Sequence, residues 1–125
     1  AWRAFGHVAG HWVLRGYGMF IVTEKGSEAP LGAVGPWRPA GWPEPEIGWS
    51  LWSAASEGKG YAFEAAQAVQ GWVRPHLGWT RFVSYIDQKN TRSQALARRL
   101  GCVIDASAVS IEEGVDTWVH PEGAA

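Results

Sequence analysis

The residues with the most chemistry to offer lie between positions 46 and 62. Glu46-Ile47-Gly48-Trp49-Ser50-Leu51 has strand character, a run of small residues follows, and Gly58-Lys59-Gly60 opens a helix at Tyr61. The first backbone amides of a helix lack acceptors and carry the positive end of its dipole. Glycines just before such a helix let a ligand approach the backbone, and Lys59 adds a charge. Together these features suit a pyrophosphate. The same pattern also serves as an ordinary strand-to-helix turn, with glycines there for geometry. Glu46 stands at the start of its strand, where the plain reading is an exposed carboxylate.

The spacing of the glycines is neither G-x-G-x-x-G nor G-x-x-x-x-G-K-[ST], so the Rossmann and P-loop readings fail. His7 and His11 stand four apart, which could set two ligands on one helix face. The acid of an H-E-x-x-H motif is absent between them and no third ligand is evident, so they read as packing or surface residues and no metal is expected. Cys102 has no neighbouring base in sequence and reads as a buried, inert thiol. Arg81, Lys89, Arg92, Arg98 and Arg99 are opposed in sequence only by Asp87. They read as a solvated face, or as partners for a phosphate. Nine tryptophans is a high count, and Trp37, Trp42, Trp49 and Trp52 cluster around the same segment. They serve packing, line an acceptor pocket, or form the stacking platforms of a carbohydrate-binding module; that last reading leaves the glycine loop unexplained.

The elements that must position these residues follow from composition and periodicity. A chain of 125 residues suits one domain with a core that needs no staples. Its 46% hydrophobic and 18% charged content argues against disorder. One cysteine excludes a disulfide framework and multi-cysteine zinc sites. A net charge of −1 gives no global pull toward nucleic acid or an anionic membrane. No apolar run is long enough to span a bilayer and no signal segment opens the chain, so neither a membrane nor nucleic acid is an expected partner and a cytoplasmic location is expected. Five acids and no Lys or Arg follow residue 102, which leaves the rest mildly basic.

Helical spacing of apolar residues predicts helices over 1–14, 61–74 and 91–100, the last with Asn90 as N-cap and Gly101 as stop. Alternation predicts strands over 17–24, 31–35, 46–52 and 81–87, with two more at 102–104 and 116–119. Four prolines make 36–45 a loop, and Pro75 ends the second helix. The class is mixed α/β: hairpins favour antiparallel pairing, while the strand-helix-strand unit at 46–87 favours a parallel pair.

At this point two segments resemble one family. Ser56-Glu57-Gly58-Lys59-Gly60-Tyr61-Ala62 resembles the acetyl-CoA loop of the GNAT N-acetyltransferases, [QR]-x-x-G-x-[GA]. Asn90-Thr91-Arg92-Ser93 with Arg99-Leu100-Gly101-Cys102 resembles its second CoA-contacting segment. The branch most similar is that of ribosomal-protein N-terminal-alanine acetyltransferases. The resemblance implies an α/β fold with a mostly antiparallel sheet, acetyl-CoA as cosubstrate and a primary amine as acceptor. It implies that main-chain groups at Trp49, Ser50 and Leu51 hold the pantetheine, and that amides of Gly58, Lys59, Gly60, Tyr61 and Ala62 take the pyrophosphate. Asn90 and Ser93 would meet the pantetheine arm or thioester, and Glu46 is the candidate base. A CoA-binding but inactive module is the alternative.

Three departures stand out. The first loop position is Glu57 rather than Gln or Arg. The tyrosine that many members use as acid for the thiolate corresponds to Ala97, so Ser93 is the expected substitute. Family domains begin with a strand and a helix that this chain lacks, so residues 1–125 are expected to be a truncated domain, a sheet completed by a partner, or an open edge. An open edge and many tryptophans would both favour burial in a homodimer.

Overall fold

Apolar residues at helical spacing form α1, Trp2–Arg15, and Gly16 ends it in a left-handed conformation with its amide on the Trp12 carbonyl. Residues 2–51 and 60–123 are described by a computed structural model. After α1 come β1 (Phe20–Thr23), β2 (Pro30–Trp37) and β3 (Glu46–Leu51). Then follow α2 (Tyr61–Leu77), β4 (Val83–Asp87), α3 (Thr91–Arg99), β5 (Val103–Ile104) and β6 (Val115–Val119).

The strands form one sheet in the order β1-β2-β3-β4-β6-β5. Every neighbouring pair is antiparallel except β3 with β4. That parallel pair is joined by the crossover through α2, as a strand-helix-strand unit requires. The core packs α2 and α3 on one face of the sheet: Ala66, Val69 and Val73 of α2 and Ala97 of α3 meet Val34, Ile47, Ile86 and Trp118.

Two elements run further than their prolines predict. β2 continues through Pro36 to Trp37 rather than yielding to a loop. Pairing with β1 stops at Val34, so one side of Pro36 has no ladder to donate to. Proline is tolerated in a strand where one side is unpaired. α2 continues past Pro75 to Leu77. Pro75 sits in the last turn and forfeits only its own amide bond. The true stop is Gly78, at φ 70°, whose amide meets the Arg74 carbonyl while the Trp79 amide meets that of Val73.

β1 is shorter than the alternation of 17–24 suggests. Tyr17 to Met19 instead runs close beside Gly35, where a Cβ would collide with the Gly18 carbonyl and Met19. His11 fixes this corner from α1. Its Nδ1 donates to the Tyr17 carbonyl at 2.8 Å and its Nε2 accepts from the Arg38 amide at 2.8 Å. The ring also stacks on Trp37 at 4.3 Å. Trp2, Phe5 and Val13 leave an apolar part of α1 exposed, Trp2 at 89%.

Candidate active site

The sheet opens at its centre. β3 pairs along its whole length with β2, from Trp37↔Glu46 to Gly32↔Leu51. With β4 it shares one registered pair, Glu46↔Val83, beside the amide bond from Val83 to the Pro45 carbonyl. Beyond it the two strands diverge, so β3 at Trp49, Ser50 and Leu51 has no ladder on its β4 side. Both strands run toward the opening, and in open α/β sheets ligands bind beyond the carboxyl ends of such strands. A cavity of about 350 Å³ fills the fork, lined by Glu46, Trp49, Ser50, Ser84, Asn90 and Ser93 among others.

Side chains alternate across a strand, so the fork has two chemically different sides. Ile47 and Trp49 point with the core toward α2 and α3, where the indole Nε1 of Trp49 donates to Ser93 Oγ at 3.2 Å. Glu46, Gly48 and Ser50 alternate to the opposite face, as does Trp37, paired with Glu46. Because the strands part here, the cavity reaches residues of both faces.

Glu46 is 7% exposed, which corrects the alternative of an exposed carboxylate. Its Oε1 accepts from Trp42 Nε1 at 2.9 Å and its Oε2 from the Tyr85 amide at 2.8 Å. Burial pushes its carboxyl up to about 7, while the two hydrogen bonds pull the other way. A carboxylate poised there is matched to proton removal near neutral pH.

Nine residues beyond the end of β3, α2 begins at Gly60, which has φ 81° and makes no side-chain capping bond. The first α-helical bond runs from the Glu64 amide to the Gly60 carbonyl, so the amides of Tyr61, Ala62 and Phe63 have no acceptor within the helix. Asn90 caps α3 by accepting from the Ser93 amide at 3.1 Å, as its place in the sequence predicts. Gly58 and Lys59, with Glu57 and Trp52, lie outside the described residues.

An acetyltransferase (GNAT) domain model matches residues 1–103. The chain belongs to this GNAT family. It is an acyltransferase domain, and its mixed sheet with α1, α2 and α3 is the GNAT fold. An acetyltransferase from Agrobacterium tumefaciens is similar at 30% identity and a TM-score of 0.89, over 97% of this chain and 70% of that one. A ribosomal-protein-S5-alanine acetyltransferase from Vibrio fischeri shares the fold, with a TM-score of 0.70 and 18% identity over 94% of this chain and 67% of that one. An acetyltransferase structure from Salmonella typhimurium, with its cofactor acetyl-CoA, matches at a TM-score of 0.66 and 22% identity, over 98% of this chain and 75% of that one. No curated protein matches the sequence.

The fork brings Glu46, Trp49, Ser50, Asn90 and Ser93 to one cavity. It separates the basic residues that sequence grouped together. Arg81 sits at the closed end, bridging Glu44 and Asp105, acids that lie far off in sequence. Arg99 lies over the Phe63 ring at 4.0 Å, beside the first turn of α2, and Arg98 lies over Trp118. Cys102 is buried, with its thiol pushed up to about 12 by desolvation. Ala97, at the family's tyrosine position, is fully buried in the core. Sequence reasoning missed Ser84 on β4, Gln70 on α2 and His120 just beyond β6, single polar residues that no local spacing marks. Among the described residues no His, Cys, Asp or Glu cluster could hold a metal, and no helix is long and apolar enough to cross a membrane.

Proposed function

We propose that this domain transfers the acetyl group of acetyl-CoA to a primary amine by direct attack, with Glu46 as the base. The observation that carries the reading is the fork, a buried carboxylate held at about 7 beside a strand edge without a ladder, followed in the chain by a helix start with no side-chain cap. Acetyl-CoA supplies a thioester whose carbonyl carbon accepts the amine nitrogen and whose C–S bond then breaks. The amides of Tyr61 and Ala62, with Gly60 giving close access, take the pyrophosphate. Main-chain groups at Trp49, Ser50 and Leu51 pair with the pantetheine as an added strand would. The amine arrives on the Glu46 face, past Trp37, and gives its proton to the carboxylate. On the other face Ser93 Oγ already accepts from Trp49, so its own hydrogen is available to the departing thiolate near Asn90. Arg99, over the ring of Phe63 in the first turn of α2, meets further phosphate charge.

Titration calorimetry with acetyl-CoA, with dephospho-CoA as control, tests the ligand. One-to-one binding, weaker for dephospho-CoA, is expected; a folded chain that binds neither ends the proposal. Glu46→Gln is expected to lower kcat by about 10²–10⁴-fold. Its acetyl-CoA affinity should stay within about twofold, because the carboxylate faces the amine side. Wild-type turnover should rise with pH through about 7, since only the ionised carboxylate accepts a proton. Unchanged turnover in the variant would remove Glu46 as the base.

A further inference from the structure

A continuing parallel ladder would send the Tyr85 amide to the Ile47 carbonyl, the next rung after the bond from Val83 to Pro45. That rung is absent, yet neither group is left unpaired. The Tyr85 amide donates to Glu46 Oε2 at 2.8 Å. The Ile47 carbonyl accepts from Ser84 Oγ at 2.6 Å. Two side chains have replaced one backbone hydrogen bond. This is how the strands part without orphaning buried polar groups, which would cost about 1–3 kcal/mol each.

Ser84 does not act alone. It is 1% exposed, and its Oγ lies 2.8 Å from His120 Nε2. His120 Nδ1 lies 2.9 Å from Gln70 Nε2, which also donates to the Leu100 carbonyl at 3.1 Å. The directions follow from the partners. Gln70 has two hydrogens, one for Leu100 and one for His120 Nδ1. Nδ1 therefore accepts, and Nε2 carries the ring proton and donates to Ser84. The Ser84 hydroxyl is left with one way to point, at Ile47. A second proton on His120 would face the Gln70 amide, and burial with the nearby Arg74 charge also opposes it.

We propose that Ser84 is a positioning residue of the fork: its hydroxyl, aimed through His120 by Gln70, holds the Ile47 carbonyl and so leaves the Tyr85 amide to orient Glu46. The inference rests on the reading of Glu46 as the base, but its test does not require turnover. In Ser84→Ala the Ile47 carbonyl loses its donor and competes for the Tyr85 amide. Glu46 then loses one of the two hydrogen bonds that favour its ionised form. The charged and titratable groups near the Tyr85 side chain, Glu44 and Arg38, are unchanged by the substitution.

The test is a ¹³C NMR titration of the Glu46 carboxyl in the ligand-free protein. Its midpoint is expected to move up by about one pH unit in Ser84→Ala, with acetyl-CoA affinity falling several-fold as the fork narrows. Gln70→Met keeps Ser84 but frees its direction, and a smaller shift of the same sign is expected. That half-buried variant carries the test if Ser84→Ala does not fold. A midpoint identical to wild type in a folded Ser84→Ala or, failing that, Gln70→Met protein overturns the proposal. Full turnover in Glu46→Gln would remove the base and leave the titration to judge Ser84 by itself.

Discussion

His11 and His120 are buried almost equally, at 4% and 5% exposure, and burial pulls both below the ordinary histidine value. Their partners differ. His11 is held at both nitrogens by main chain, the Tyr17 carbonyl and the Arg38 amide, so it joins α1 to the chain at the end of β2. His120 is held by two side chains, Gln70 and Ser84, and through them it reaches the Ile47 carbonyl in the fork. Burial and a lowered pKa therefore do not separate a packing histidine from one coupled to a site. What separates them is where the chain of hydrogen bonds ends.

The largest effect that would sharpen this contrast is in stability against pH. His120 has its folded value depressed to about 3, so the unfolded chain takes a proton first. Its contribution is whole above the ordinary value of 6.5 and is lost as pH falls toward 3. Glu46 is the reverse. Its folded value is raised to about 7, so its contribution is whole below 4.5 and is lost as pH rises toward 7. Between about 4.5 and 6.5 the two slopes oppose each other, each up to about 1.4 kcal/mol per pH unit. Denaturant unfolding at pH 5 and pH 6.5 should show Glu46 and His120 largely cancelling in wild type, which leaves the smaller loss on acidification due to the lowered His11. Glu46→Gln should become less stable on acidification and His120→Gln more stable. Parallel curves for the three proteins would mean that these groups do not titrate as their burial implies.

The corner at His11 should respond in stability alone. His11→Ala leaves the half-buried Arg38 amide without its acceptor and removes the ring stacked on Trp37, a loss of about 1–3 kcal/mol. Turnover per folded molecule should stay within about twofold. A kinetic defect larger than the stability loss would break the distinction, because it would mean that Trp37, which lines the cavity, depends on His11 for its position.

How much of this was legible beforehand depended on the range of the interaction. α3 was readable from Asn90 and Gly101 because caps act within a few residues. The parallel pair at the centre of the sheet was readable because a crossover helix leaves few alternatives. Five of the candidate site residues, Glu46, Trp49, Ser50, Asn90 and Ser93, do share one cavity. The prolines misled at 36 and 75, since sequence shows the missing amide but not whether that side of the element needed one. The burial of Glu46 was invisible because its partners Trp42 and Tyr85 are supplied by a loop and by the neighbouring strand. Ser84 and His120 stand 36 residues apart, and nothing local marks either as half of a pair.

The smallest effect concerns two arginines that sequence placed in one group. Arg81 bridges Glu44 and Asp105 at the closed end of the fork, with its own side chain 48% exposed. Its neighbours hold it protonated, but an exposed ion pair is worth at most about 1 kcal/mol. Arg81→Gln should therefore shift stability by less than that and leave acetyl-CoA affinity alone. Among the described residues Arg99 meets no comparable carboxylate; it rests on Phe63 in the first turn of α2. Arg99→Gln should weaken acetyl-CoA by a few-fold and reduce the salt dependence of binding, since a cation near phosphates acts through a screened field. Equal effects of the two substitutions would mean that the charge of the whole face, rather than its position at the helix start, draws the ligand. A larger effect at Arg81 would put the phosphates at the closed end of the fork and reverse the direction assigned to the cofactor.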